Sequence, residues 1–135
     1  MNVQRMSVAS AVALGLLLRV APVVAHHSAA EAYDATKKVE AQGTITRVLL
    51  KNPHSFVFLE AADENGQKVV WQIEMGAWSG MVTNGWTQEM LAPGTVLKVS
   101  GIPSRAPGSH GMSTAKFTKA DGSPLGPGGT GYDVK

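Results

Sequence analysis

The side chains best suited to chemistry in this 135-residue chain are the histidines His26, His27 and His54. His26 directly follows Ala25, where an apolar amino-terminal run gives way to polar sequence. If the chain is cut there, His26 gains a free α-amine beside its own imidazole. The amine and Nδ1 then chelate one metal ion, and His27 or His54 completes a nitrogen-rich set. Amine and imidazole nitrogens suit Cu(II), which stands at the top of the divalent affinity order and accepts a flattened geometry. The chain has no cysteine, so thiolate nucleophiles and zinc–sulfur centres are excluded and copper is a better expectation than zinc. The plainer alternative is that His26 and His27 form a polar end. His54, after Asn52-Pro53, equally suits a turn in which imidazole bonds to backbone, and His110, in a Gly/Ser loop, is expected to be solvated.

A second set of ligand-binding candidates is Trp71, Trp78 and Trp86, together with Glu74. Exposed aromatics on a small barrel, Phe56 and Phe58 included, stack on sugar rings or bases. Most such rings are expected in the core, because aromatics dominate the burial a small domain can achieve. Glu74 falls on the polar phase of a strand, beside Met75 and Gly76, yet a lone carboxylate does not define acid–base chemistry. Asp63 and Glu64 sit in a turn. Ser28, Ser55 and Ser79 lack a nucleophile-elbow context, and no glycine-rich loop runs into Lys-Ser or Lys-Thr. These features favour binding over catalysis.

The segment that would expose His26 has the parts of a secretory leader. Met1–Ala25 carries Arg5, an apolar run over Met6–Leu18, a helix breaker at Pro22, and small residues at Val23 and Ala25. Cleavage after Ala25 and export to the periplasm are the expectation. The run is shorter than the roughly 20 residues a permanent span needs, so no lasting membrane anchor is expected. Of 12 basic and 10 acidic residues, only Arg5 and Arg19 lie in the leader, which leaves the remainder neutral with histidine uncharged. Such a chain offers no electrostatic case for nucleic acid.

The elements that must position these residues are strands. Residues 26–38 form a leading segment, 39–120 a single β-domain and 121–135 a Gly/Pro-rich tail expected to be poorly ordered. Alternating apolar residues bounded by Gly, Pro, Asn and Asp predict five strands: Val39–Leu50, His54–Ala61, Lys68–Met75, Thr95–Ile102 and Thr114–Lys119. In the first, the apolar phase switches after Ile45, which predicts a bulge near Thr46 and Arg47. Asp63-Glu64-Asn65-Gly66 is a hairpin signal. Gly76–Gly85 reads as a short helix whose Trp78, Met81 and Val82 plug one end of the sheet. Thr87 is placed to cap a turn over Gln88–Leu91. Three strands, a helix and two strands match a mainly β, five-stranded OB-like barrel with a short helix between strands three and four. A β-sandwich would need about seven strands.

His26-His27-Ser28, Tyr33-Asp34, Asn52-Pro53-His54, Trp71 with Glu74-Met75-Gly76, Gly85-Trp86-Thr87 and Leu91-Ala92-Pro93-Gly94 together resemble a family of short exported bacterial proteins of unknown function. The resemblance runs from about His26 to Leu125, and Trp78-Ser79 and the long tail depart from its pattern. It implies export and a small β-barrel, and no activity. A cleaved His26 would look like the histidine brace of exported copper proteins. The resulting expectation is a non-catalytic periplasmic binding or accessory protein, with copper held by His26 and partnered by His27 and His54. The alternatives are a small copper-dependent redox enzyme and an envelope module that binds oligosaccharide or protein.

Overall fold

The computed structural model describes residues 29–126. The leader, His26 and His27 therefore lie outside the described residues, as does the tail beyond Gly126.

A short helix α1 (Ala29–Ala32) precedes strands β1 (Val39–Leu49), β2 (Ser55–Ala62) and β3 (Lys68–Met75). Helix α2 (Trp78–Thr83) and a 3-10 turn (Glu89–Leu91) follow, then β4 (Val96–Pro103) and β5 (Gly111–Lys119). The strands close in the order β1-β2-β3-β5-β4, with β3 and β5 parallel and every other pair antiparallel. This is the expected mainly β, OB-like barrel with a helix between strands three and four. Among the described residues no helix is long and apolar enough to cross a membrane.

Closure depends on β1, which serves two neighbours. Its first half pairs with β4, from Val39 opposite Gly101 to Thr44 opposite Val96. Its second half pairs with β2, from Gly43 opposite Ala61 to Leu49 opposite Phe56. The register slips between Ile45 and Arg47, so Thr46 is the extra residue of the anticipated bulge. Gly43 is paired on both sides, and a Cβ there would lie 1.9 Å from the Glu60 carbonyl oxygen. Only a residue without a side chain permits that approach.

Alternation then decides what is inside. Val57 and Leu59 of β2, Ile73 and Met75 of β3, Leu97 and Val99 of β4, and Met112, Ala115 and Phe117 of β5 fill the barrel with Ala41 and Ile45. On the outer face of β2, Phe56 and Phe58 are covered by cations, with the Arg47 guanidinium 3.9 Å from the Phe58 centroid and Lys51 Nζ 5.8 Å from that of Phe56. The β2–β3 hairpin turns on Asp63, whose Oδ1 accepts the N–H groups of Asn65 and Gln67, each at 2.8 Å.

Four expectations need correction. Met81 is buried at the barrel end and Trp78 packs partly against the core, but Val82 is 50% exposed. Val82 follows Met81 by about 100° round the six-residue helix, which puts it at the edge of the apolar face, where it reaches solvent while Met81 is buried. Thr87 makes no side-chain cap to the 3-10 turn; its hydroxyl is bonded to Glu89, whose carboxyl its own backbone N–H, chiefly, and Thr87 hold below the ordinary range. The last strand begins at Gly111, three residues before the anticipated Thr114, because β5 carries a second bulge opposite Gly101 that interrupts the alternation. At that bulge Thr114 adopts φ 51°, a left-handed conformation that β-branched residues disfavour. Finally, the tail is folded as far as Gly126. Asp121 Oδ1 accepts both N–H and hydroxyl of Ser123, Lys119 N–H donates to the Ser123 carbonyl, and Leu125 is buried.

Candidate functional site

The Asn52-Pro53-His54 turn is fastened to the end of β3 and the start of α2. The Ser55 hydroxyl, buried, donates to the Lys51 carbonyl at 3.1 Å and accepts the Lys51 N–H at 3.2 Å, while Ser55 N–H donates to the Gly76 carbonyl at 3.0 Å. Helix α2 has Ala77 at its N-cap, which carries no acceptor. Asn52 supplies one from outside, with Oδ1 accepting the N–H and the hydroxyl of Ser79, both at 3.1 Å. The Asn52–Pro53 peptide bond is cis. Ser55 pairs with Met75 and Phe56 with Glu74, which brings His54 beside Glu74. His54 Nδ1 lies 3.0 Å from Glu74 Oε1.

The other oxygen of Glu74 is held from the opposite end of the chain. Helix α1 leads into Tyr33, which bridges to Ser104, and Asp34 N–H donates to the Pro103 carbonyl at 2.9 Å. Arg105 fastens the segment to the β4–β5 loop. Its Nε donates to the carbonyls of Ala30 and Tyr33, each at 3.1 Å, and its Nη2 lies 3.6 Å from Asp34 Oδ1. The Asp34 carboxyl is held below its ordinary range, first by the Thr36 hydroxyl and with help from the Thr36 N–H, Arg105 and Lys37. So anchored, Tyr33 donates its hydroxyl to Glu74 Oε2 at 2.5 Å. Burial, then the Glu74 hydrogen bond and charge, push the Tyr33 hydroxyl well above its ordinary range, so it stays a phenol donor.

Glu74 thus has a donor on each oxygen, and its engagement of His54 Nδ1 leaves Nε2 as the ring's other nitrogen. A carboxylate that holds one imidazole nitrogen orients the ring so that the second can serve as a ligand, the arrangement found behind metal-ligating histidines. The His54 side chain is 57% exposed and that of Glu74 26%, so the ring is reachable while its support is sheltered. Among the described residues no group of three or more His, Cys, Asp or Glu side chains is placed to hold a metal ion. His54 can contribute one ligand there, and further ligands must come from elsewhere.

The tryptophans occupy three different settings. Trp86 is 5% exposed, stands edge-on to Phe117 with ring centroids 5.9 Å apart, and packs beneath Gly126, making it a core residue. Trp78 is half-buried on α2. Trp71 lines a cleft with His110, their rings at 85° and 5.3 Å apart. His110 is therefore not the solvated residue expected: its ring packs on Trp71 and its carbonyl accepts the Gln72 N–H at 2.9 Å.

Residues 15–114 match the family of unknown function DUF6152. The chain belongs to this family. The DUF6152 match includes Tyr33, His54, Trp71, Glu74 and Arg105, so the whole Tyr33–Glu74–His54 assembly lies inside it. No curated protein and no solved structure matches the chain. Nothing local in the sequence marks Tyr33 or Arg105 as a site residue beyond Tyr33-Asp34 as one piece of the family resemblance.

Proposed function

We propose that this DUF6152 chain is an exported, periplasmic, non-catalytic accessory protein that binds copper through the amino end created by cleavage after Ala25. His26 supplies the α-amine and its imidazole, His54 adds Nε2, and His27 is a further partner. The observation that carries this reading is the 3.0 Å contact of His54 Nδ1 with Glu74, backed by Tyr33. It orients one exposed imidazole with its second nitrogen left over, which is what a metal ligand needs. His26 is tied to this place by the chain. It precedes Tyr33 by seven residues, a contour of at most about 25 Å.

The test uses protein secreted with its own leader, with its first residue identified by mass spectrometry. Titration with Cu(II) is then compared between wild type, His26→Ala and His54→Ala. Tight one-to-one binding that weakens in both variants supports the reading. A first residue other than His26, or equal affinity in wild type and His26→Ala, overturns it. Copper-dependent oxidation of an added reductant would move the protein to the redox-enzyme class.

A further inference from the structure

At the end of the barrel where β2 turns into β3, the β4–β5 loop and the residues entering β1 enclose a cleft of about 590 Å³. Trp71 and His110 meet there nearly at right angles, and Lys38, Glu40, Asp63 and Glu64 line the same space. The volume falls in the range of small-molecule sites.

The charges of the lining choose among ligands. One lysine of the lining stands against three carboxylates, and with Lys98 also on Glu40 the balance is one negative charge with His110 counted neutral. Lys38 and Glu40 largely cancel, with Lys38 Nζ 3.2 Å from Glu40 Oε1 and Lys98 Nζ 3.2 Å from the other oxygen. The surplus therefore sits on the turn, at Asp63 and Glu64. Asp63 directs Oδ1 into its own turn, and Glu64 is an exposed side chain. An anion would meet uncompensated like charge there. A cation gains twice, from the carboxylates and from the indole face, the strongest of the aromatic side chains at attracting cations.

We propose that this cleft binds an organic cation, an amine or quaternary ammonium group seated against Trp71 in the corner made with His110 and facing the carboxylates of the β2–β3 turn. The space beyond that corner accommodates the molecule that carries the cation. The site is separate from His54 and does not depend on copper.

Choline and its uncharged carbon isostere, 3,3-dimethylbutan-1-ol, are the probes, titrated calorimetrically into the full secreted protein. Saturable choline binding is expected, about tenfold tighter than that of the alcohol. Trp71→Leu should reduce it at least about tenfold. Glu64→Gln, at an exposed turn position and so harmless to folding, should weaken it several-fold and flatten its salt dependence. Equal binding of choline and the alcohol, no saturable choline binding, unchanged affinity in Glu64→Gln, or preference for an uncharged oligosaccharide such as chitotetraose would each overturn the assignment.

Discussion

The hydroxyl of Tyr33 reaches Oε2 of Glu74 across 41 residues of sequence, at 2.5 Å, while Glu74 Oε1 holds Nδ1 of His54. One carboxylate thereby joins the segment before β1, the turn before β2 and the end of β3. Removing the hydroxyl should be felt as stability. Tyr33→Phe leaves a partly sheltered carboxylate short of one charge-assisted bond, so urea denaturation should show a loss of about 1–2 kcal/mol with an unchanged m-value.

If His54 is a copper ligand, Glu74 acts through it as a positioning residue. Glu74→Ala frees the imidazole to rotate and removes the carboxylate that orients it. Cu(II) affinity should fall by about 10- to 100-fold, with a smaller loss in Glu74→Gln, which keeps an acceptor for Nδ1. Unchanged affinity in Glu74→Ala would remove His54 from the ligand set.

Gly43 lies where β1 is paired with both β2 and β4, and a Cβ there would fall 1.9 Å from the backbone oxygen of Glu60. The obstacle is main chain and cannot swing aside. Gly43→Ala should therefore cost about 3 kcal/mol, read from the denaturation midpoint.

Thr114 offers the opposite case, since its φ of 51° strains a β-branched residue. Glycine relieves that strain at some cost in unfolded-chain entropy, so Thr114→Gly should raise stability by about 1 kcal/mol. A lower melting temperature would show that the Thr114 side chain contributes more than the strain takes away.

Acid should loosen the segment before β1 first. The Asp34 carboxyl is depressed in the fold, chiefly by the Thr36 hydroxyl and also by Arg105 and Lys37. A depressed carboxyl adds stability above its unfolded value, near 3.8, and loses it as the pH falls through the lower folded value. Hydrogen exchange at Arg105 N–H, bonded to the Ala32 carbonyl, should accelerate on acidification below that range relative to barrel amides, and Asp34→Asn should blunt the difference.

Much of the barrel was legible in order along the chain. Residues two apart share a face of a strand, so Ile45 falls in one phase with Ala41 and Ile73 with Met75, and the phase switch after Ile45 announced the bulge at Thr46; in β2, apolar on both phases, only the structure shows that Val57 and Leu59 face inward. Asn65-Gly66 marked the hairpin because the glycine takes φ 75°. These are contacts between near neighbours or along a single strand, and the local order of residues carries them.

Which outward faces meet was not written in that way. Nothing local to Tyr33 names Glu74 as its partner, and nothing in Gly-Ser-His-Gly says that His110 will pack on Trp71 rather than face solvent. Leu125 is buried with its N–H bonded to the Phe117 carbonyl, and Gly126 lies against Trp86, so the first part of the expected loose tail, as far as Gly126, is a packed turn. The first two contacts exist because the sheet closes, bringing segments far apart in the chain together at the two ends of the barrel. Alternation specifies which side of a strand a residue takes, and closure specifies what it finds there.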